Sequence, residues 1–239
     1  PAAVSLALSP LSDTGSSTTD GLVNTSTVSI RVGIDTSAAD GTAVSLGNIV
    51  KLYEGTDTSN TSTPVGTHTV TDADLNRGFV TFSQVELSSA ETAFTATVTD
   101  KAGNVSEDSV QYTISLDTDA PTAGIDAPIS EGYINAAEDD VALTITGTAV
   151  GAEAGERVTV TLTDGTNSRV KTGTVSGEAF SVRVSAYDLQ QLDEGTITVT
   201  AKVVDTAGNS DTAEVTFVYD ASAPAAPGNL ALASDTGAD

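Results

Sequence analysis

Apolar and polar residues alternate with a period of two along most of the chain. The alternation runs through residues 28–34, 94–98 and 110–116, where every second residue is apolar. A period of two places the apolar side chains on one face of a strand. Each segment therefore predicts a half-buried antiparallel strand.

The alternation continues in the second half of the chain. Thr or Ser fill the polar face there, and β-branched residues, which suit a pleated sheet, are frequent. The predicted core of this half includes Val141, Ile145, Val199 and Phe217. No segment predicts an amphipathic helix, and residues 186–195 (AYDLQQLDEG) are expected to form at most one helical turn between strands.

Strand-sized segments recur about seven times per roughly 100 residues, separated by turn residues, which is typical of a β-sandwich. A repeated pentapeptide, D-x-A-G-N, occurs at 100–104 and again at 205–209, and a segment combining Asp, Ala and Pro follows the last predicted strand of each unit. We therefore expect one sandwich over residues 1–118 and a second over 119–222. Residues 223–239 are expected to be a linker and the start of a third unit.

Composition narrows the possible functions. The chain has 33 acidic and 9 basic residues and a net charge of −24, which repels nucleic acid and anionic membranes and attracts divalent cations. It contains no Cys, which excludes disulfides, thiolate metal sites and a Cys nucleophile. Its one histidine, His68, lies on an alternating segment, and we expect a solvent-facing ring rather than a catalytic base. No apolar run is long enough for a membrane span and the start lacks a basic leader, so an internal part of a longer protein is expected.

Several motifs together resemble a known family. The first unit carries SDTGSSTTDGLVN, VKLYEG, TVTDKAGN and DTDAP, and the second carries INAAE, GTAVGAEAG, VVDTAGN and YDASAP. These resemble the bacterial immunoglobulin-like repeats of giant RTX and biofilm-associated surface adhesins. The resemblance implies an elongated tandem of immunoglobulin-like sandwiches, exported to the bacterial cell surface and without enzymatic activity. It also implies monomeric extender modules that contact neighbouring repeats and bind calcium (Ca²⁺) at their junctions.

Sandwich topology suggests where calcium would bind. The D-x-A-G-N loops join the last two strands, so the second loop should face the linker between the sandwiches and the loop that holds two glutamates. The first loop should face whatever precedes Pro1, and the segment before the second strand should lie at the opposite end of the first sandwich. The candidate ligands are Asp205, Asn209, Asp117, Asp119, Glu153, Glu156, Asp100, Asn104, Asp13, Asp20 and, in the second linker, Asp220.

Both the metal and the turn interpretation stay open for these residues. Calcium takes about six to eight hard oxygen ligands, which a linker and two loops can supply together. Asp, Asn and Gly are also ordinary turn residues, because Asx side chains cap the local backbone and Gly adopts positive φ.

The function likewise has alternatives. The first is a calcium-stiffened extender that projects a distal ligand-binding region for adhesion or biofilm formation. The second is a module that binds a glycan or a protein through the exposed loop 57–64, although that loop lacks an apolar or aromatic patch. The third is an accessory domain of a secreted enzyme.

Overall fold

The structure is a computed structural model and describes residues 3–37, 42–55, 63–129 and 131–228. The chain divides into two compact units. Unit 1 contains Pro1–Pro121 together with two loops from later in the chain, Gly151–Glu156 and Val203–Asp211, and unit 2 contains the remainder. The part of the predicted exposed loop between 56 and 62, and the predicted third-unit start from 229 onward, lie outside the described residues.

Unit 1 is built from two sheets. The three-stranded sheet has the order β1-β3-β6, and the five-stranded sheet has the order β2-β8-β7-β4-β5. The strands are β1 (Ala3–Leu8), β2 (Leu22–Val23), β3 (Thr27–Ile34), β4 (Ile49–Glu54), β5 (Gly66–Thr69), β6 (Phe79–Glu86), β7 (Glu91–Thr99) and β8 (Tyr112–Leu116). All pairs in these sheets are antiparallel except β2 with β8, which is parallel.

The core of unit 1 follows the predicted alternation. On β3 the residues Val28, Ile30, Val32 and Ile34 are buried, while the residues between them are half-buried. On β7 the apolar positions are buried as predicted, and Thr95 and Thr97 between them are also buried, because this strand lies in the middle of its sheet. Side chains from both sheets pack into one apolar cluster, the arrangement of a β-sandwich.

The predicted burial of Val110 is wrong. Val110 is 78 % exposed, and the last strand of unit 1 begins only at Tyr112. Two serines hold the preceding segment to β7. Ser106 Oγ accepts from Val98 N and Ser109 Oγ accepts from Ala96 N, both at 2.9 Å, while the backbone N–H of each serine donates to the carbonyl of the same β7 residue. Hydroxyl groups thus take the place of ladder carbonyls, and the backbone leaves the strand path.

A short helix, α1 (Asp72–Arg77), was not expected from the sequence. Its cap explains why it forms: Thr71 and Asp74 make a reciprocal capping box, and Gly78 ends the helix in the left-handed conformation. Six residues bury too little apolar surface to show a helical period, so the signal lies in the caps.

Unit 2 has strands in the order β10-β16-β15-β12-β13-β14-β11-β9. Its elements are β9 (Thr122–Ile125), β10 (Tyr133–Asn135), β11 (Leu143–Val150), β12 (Arg157–Thr163), β13 (Ser168–Ser176), β14 (Ala179–Val184), α2 (Ala186–Leu189), β15 (Gly195–Val204) and β16 (Ser210–Asp220). The loop between β15 and β16 counts with unit 1. The four-residue α2 agrees with the predicted single turn, and β10 pairs with β16 in parallel.

Three of the four predicted core residues of the second half are buried. Ile145, Val199 and Phe217 are at most 3 % exposed. Val141 is 64 % exposed, because the chain forms a turn before it and β11 starts only at Leu143. The chain is thus all-β, as predicted, with immunoglobulin-like sandwich architecture. Within the described residues, no helix has the length and apolar character needed to cross a bilayer.

Candidate metal centre

The loop Asp205–Asn209 is closed by its first and last side chains. Asp205 Oδ1 accepts from the N–H groups of Gly208 and Asn209 at 2.7 and 2.8 Å, and Asn209 Nδ2 donates to Asp205 Oδ2 at 2.9 Å. Asp205 is buried, at 8 % exposure. The pentapeptide therefore works as an Asx-type turn, which explains the spacing of Asp and Asn.

The linker after β8 is attached to this loop. Asn209 Nδ2 also donates to the backbone carbonyl of Asp117 at 2.9 Å. Asp117 N donates to Val23 O at 2.9 Å, and Asp117 Oδ1 accepts from Asp119 N at 3.0 Å. The structure therefore brings Asp205, Asn209 and Asp117 together, whereas Asp119 is placed through its hydrogen bond to Asp117.

The loop that carries the two predicted glutamates contacts the same pentapeptide. Glu156 Oε1 accepts from Thr206 N at 3.0 Å and from Thr206 Oγ1 at 3.2 Å. Glu156 Oε2 accepts from the backbone N–H of Glu153 at 2.8 Å. Glu156 is therefore a neighbour of the loop, while Glu153 takes part through its backbone.

Donors of the protein already occupy these carboxylates. Within the described residues, no three acidic or histidine side chains are grouped so that they could hold a metal ion. The loop acids at 117, 156 and 205 each accept at least one backbone N–H bond. These hydrogen bonds are the ones that the turn interpretation describes. They leave only part of the lone-pair capacity of each carboxylate for another ligand.

The segment between β1 and β2 closes over the pentapeptide. Thr14 Oγ1 donates to Ala207 O at 2.8 Å, and Ser16 N donates to Thr206 O at 3.2 Å. Gly15 lies between them with φ of +86°, and a Cβ added to it would meet Thr206 O at 2.0 Å. Only a glycine allows this approach. The segment with the two predicted aspartates thus contacts the loop directly.

Asp13 and Asp20 form an acidic pair at this segment. Asp13 is only 5 % exposed, and its Oδ1 has no hydrogen-bond partner among the described residues. Burial raises the pKa of Asp13, and the charge of Asp20 raises it further, against the backbone hydrogen bond from Gly21, which lowers it. Burial also raises the pKa of the neighbouring Tyr112, to which the charges of both aspartates contribute.

This pair fits a hard cation. Both groups are carboxylates, and one oxygen is buried without a donor among the described residues. The like charges lie close enough to disfavour ionisation together. Calcium is bound by oxygen ligands of this kind, and its positive charge would offset both effects.

The other D-x-A-G-N loop shares the hydrogen bonds from its Asn to its Asp carboxylate, but the second backbone donor is Ala102 rather than the glycine. Asp100 Oδ1 accepts from the N–H groups of Ala102 and Asn104 at 2.8 and 2.9 Å, and Asn104 Nδ2 donates to Asp100 Oδ2 at 2.8 Å. The hydrogen bonds from Asn104 lower the pKa of Asp100. Its residues 102–104 are exposed, whereas the corresponding residues 207–209 are buried or half-buried.

Asp220, the last predicted ligand, lies in unit 2. Its Oδ1 accepts from Ser222 N at 3.1 Å. Beside it Glu194, which the sequence did not single out, accepts from Ala221 N at 3.0 Å and from Ser222 Oγ at 2.9 and 2.8 Å. These bonds fold the chain after β16 back onto the loop before β15, and the two acids act as caps.

Residues 138–140, with the sequence Glu-Asp-Asp, form part of a turn. Asp139 accepts from the hydroxyl of Tyr219 at 3.0 Å, and Asp140 Oδ1 accepts from Gln190 at 3.1 Å. Burial, followed by the hydrogen bond to Asp139, raises the pKa of Tyr219 to about 12.

His68, expected to face solvent, is half-buried and has a partner. Its side chain is 34 % exposed, and Nε2 lies 2.9 Å from Oδ2 of Asp74, whose own side chain is 1 % exposed. Arg77 donates to the other oxygen of Asp74 at 2.6 Å. Burial raises the pKa of Asp74, but hydrogen bonds from Thr71, His68 and Arg77 outweigh it and hold that pKa far below its ordinary value.

Asp164 is a further loop acid that sequence reasoning missed. Its carboxylate accepts from the backbone N–H groups of Thr166, Asn167 and Asp193 at 2.6 to 2.7 Å. The Asp193 N–H, followed by Asn167, holds the pKa of Asp164 far below its ordinary value. The sequence D-G-T-N begins with Asp and ends with Asn, as D-x-A-G-N does, but it is one residue shorter; this Asp and Asn pair is the signal that would have found it.

No protein-family profile and no curated protein sequence matches the chain. Several solved structures are similar to the chain. One is a calcium-stabilised adhesin that helps an Antarctic bacterium reach out and bind ice, with 23 % identity over 83 % of this chain and 45 % of that chain and a TM-score of 0.44. A second is a bacterial immunoglobulin-like domain of the M. primoryensis ice-binding adhesin, with 25 % identity over 43 % of this chain and 98 % of that domain and a TM-score of 0.32.

A third is a tetra-tandem repeat from the extending region of a large adhesion protein, with 20 % identity over 92 % of this chain and 50 % of that chain and a TM-score of 0.38. The chain spans about half the length of the first and the third of these structures. The structures similar to this chain thus include repeats of large bacterial adhesins, the class of protein that the sequence motifs resemble.

Proposed function

We propose that this chain is a calcium-stabilised spacer segment of a large bacterial surface adhesin. In this role it lies outside the cell, has no catalytic activity, is monomeric and is joined to neighbouring repeats of the same protein. The observation that carries the calcium part is the buried Asp13 oxygen, which has no donor among the residues that the structure describes and lies beside a second carboxylate.

The energetics of this pair favour a cation. A buried polar group without a partner costs about 1–3 kcal/mol, and more when it is charged. A protein donor would remove that cost permanently, whereas a metal removes it only where the metal is present. Calcium suits the place better than magnesium, because it accepts irregular oxygen sets and loses its water more readily.

Binding there would stiffen more than the pair itself. Asp13 directly precedes Thr14, Gly15 and Ser16, which hold the loop around Ala207. That loop in turn holds the linker carbonyl of Asp117 through Asn209. A cation that orders residue 13 therefore acts on the contact that positions the linker, which is what a spacer requires.

The remaining acids are proposed as secondary ligands. The carboxylates of Asp117, Asp119 and Glu156 lie on segments tied to the loop at 205–209, and each keeps lone pairs beyond those used by N–H donors. Asp100 with Asn104, and Asp220 in unit 2, would play this part only where a further repeat adds ligands.

The test is a calorimetric calcium titration of the chelator-treated full chain. Extracellular modules bind calcium with a dissociation constant of about 10⁻⁴–10⁻³ M, and we expect at least one site in this range. Asp13→Asn should abolish that site, whereas Glu107→Gln removes an exposed carboxylate of unit 1 and should leave it intact. Absence of calcium binding by the unmodified chain, or equal binding by the Asp13 variant, would contradict the proposal.

A further inference from the structure

The two D-x-A-G-N loops have one conformation but two environments. In each, the aspartate N–H donates to the asparagine carbonyl, at 2.9 Å in the first loop and 3.0 Å in the second. The glycines have almost the same φ, +92° at Gly103 and +97° at Gly208. The loops nevertheless differ in exposure: Ala207 is 1 % exposed, whereas its counterpart Ala102 is exposed.

The covered loop shows what the covering group is. Ala207 and Thr206 offer their backbone carbonyls to Thr14 Oγ1 and to the N–H of Ser16. Between these two hydrogen bonds Gly15 packs directly against Gly208, since a Cβ added to Gly208 would lie 2.9 Å from Gly15 N. The covering group is therefore a turn with a threonine hydroxyl, a glycine and a following free N–H, which is the sequence S-D-T-G-S at residues 12–16.

The first loop presents the same groups uncovered. A Cβ added to Gly103 would meet no atom of the described residues within 4 Å. Residues Lys101 to Asn104 are exposed, and Val105 beside them is a large apolar residue that is 53 % exposed. Thr206 accepts the Ser16 N–H through its backbone carbonyl and not through its side chain. Lys101, at the same position of the first loop, can therefore accept such a bond as well.

We infer that the loop Asp100–Asn104 is a docking surface for an S-D-T-G turn carried by another repeat of the same protein. This inference rests on the proposed role as a tandem spacer and names the surface that joins the repeats. The docked turn places its threonine hydroxyl on the Ala102 carbonyl, its glycine against Gly103, and its next N–H on the Lys101 carbonyl. The sequence carries a second S-D-T-G at 234–237, so the complementary group recurs along the chain.

The contact is independent of calcium in its chemistry. It consists of two hydrogen bonds to backbone carbonyls and one glycine-to-glycine approach, with no carboxylate among the contacting atoms. Calcium at Asp13 would stiffen the docked turn, whereas docking itself depends on the absence of side chains at both glycines.

The experiment extends the full chain at its N-terminus by a second copy of residues 1–120, so that Pro1 takes the place of Pro121 after the DTDA linker. The readout is amide hydrogen exchange of Ser16 in each copy, separated by segmental isotope labelling and recorded in chelator and in calcium. Because the Ser16 N–H is protected by the docked loop, we expect it to be slow in both copies. Loss of the bond should speed its exchange by about tenfold.

Glycine variants make the assignment specific. In the extended chain, Gly103→Ala should accelerate only the Ser16 of the added copy, and Gly208→Ala only the Ser16 of the original. In the unextended chain, Gly103→Ala should leave Ser16 unchanged, although it carries the same strain of a side chain at positive φ. These results together would establish the docking surface.

Two outcomes overturn the inference. One is a fast Ser16 in the added copy while the amides of its β3 remain protected. The other is an added copy that does not fold. The loop 205–209 belongs to the same compact unit as the S-D-T-G turn that it contacts. An unfolded added copy would therefore mean that loop 100–104 does not complete such a unit. Failure of the proposed function gives a different result. If the Ser16 N–H is protected in chelator and the chain binds no calcium, the docking surface is supported and the calcium site is rejected.

Discussion

Replacing Asp13 by asparagine tests the central electrostatic argument. The substitution keeps the shape of the side chain and removes its charge. In the absence of a cation, the wild-type chain buries a carboxylate whose Oδ1 has no partner in the described part of the chain and which lies close to Asp20. The variant should therefore be more stable than the wild type in chelator, a rare direction for a buried substitution.

The magnitude follows from the missing bond and from mass action. An unpartnered buried group costs about 1–3 kcal/mol, of which asparagine should recover roughly 1–2 kcal/mol, since it still lacks a partner for its own oxygen. For a chain of this size that is a rise in Tm of about 2–8 °C. For the wild type, 10 mM calcium with a dissociation constant of about 10⁻⁴–10⁻³ M adds roughly 1.4–2.7 kcal/mol. The variant should not gain this increment.

The pH dependence has a definite sign. Burial raises the pKa of Asp13, so the folded chain binds this proton more tightly than the unfolded chain does. The stability that this group contributes is present below the ordinary carboxyl pKa, about 3.9, and is lost as the pH rises through the raised value. The advantage of the variant in chelator should therefore be largest at neutral pH and should shrink as the pH falls.

The assay is thermal unfolding followed through the amides of β3 and β7, with Glu107→Gln as the control for charge alone. Glu107 is exposed, so its variant should stay within about 0.5 kcal/mol of the wild type and keep the calcium response. A metal-free Asp13→Asn chain that is less stable than the wild type, or that still gains from calcium, would refute the reasoning.

Three further predictions follow from other parts of the structure. Ile145→Ala should cost about 2–5 kcal/mol with or without calcium, because Ile145 is fully buried, while Val141→Ala should cost less than about 1 kcal/mol; equal losses in urea unfolding would contradict the burial pattern. Asp74→Asn should destabilise unit 1 by about 1–3 kcal/mol at pH 7; since the pKa of Asp74 is depressed, this loss should fade as the pH falls below the ordinary carboxyl value, which urea titrations at pH 7 and pH 2–3 would detect. Small-angle scattering should give a narrower distance distribution in calcium than in chelator, and identical curves would argue against stiffening.

The sequence predicted strands well where burial decides the structure. The alternation over 28–34 matches β3 residue by residue, because one face of that strand is buried against the opposite sheet. Val110 and Val141 each begin a segment of alternating apolar residues, yet both lie outside strands and are exposed. The period describes side chains only, and strand ends are set by hydrogen bonds such as those of Ser106 and Ser109, which no period reveals.

Local polar residues also determine structure that the alternation does not predict. The capping box of α1 needs only Thr71, Asp74 and Gly78, all visible in the sequence, and it forms a helix too short to show a hydrophobic face. The same Asp74 then binds His68, a residue placed in solvent by its position on an alternating segment. The pairing arises because a strand and the following helix fold back on each other, which is a tertiary effect.

The candidate site shows the same division between what a motif fixes and what the fold adds. The D-x-A-G-N sequence determines the turn, and both copies form it with the same hydrogen bonds. Whether such a turn is a solvated loop or part of a contact depends on the segment that reaches it. Asp13 gives the complementary case: its sequence is that of an ordinary acidic turn, and only its burial beside Asp20 makes it costly without a cation. Since the residue after Asp13 makes the hydroxyl contact to the loop, the charge that needs calcium and the glycine turn that docks lie on one segment, so the ion can strengthen the contact without taking part in it.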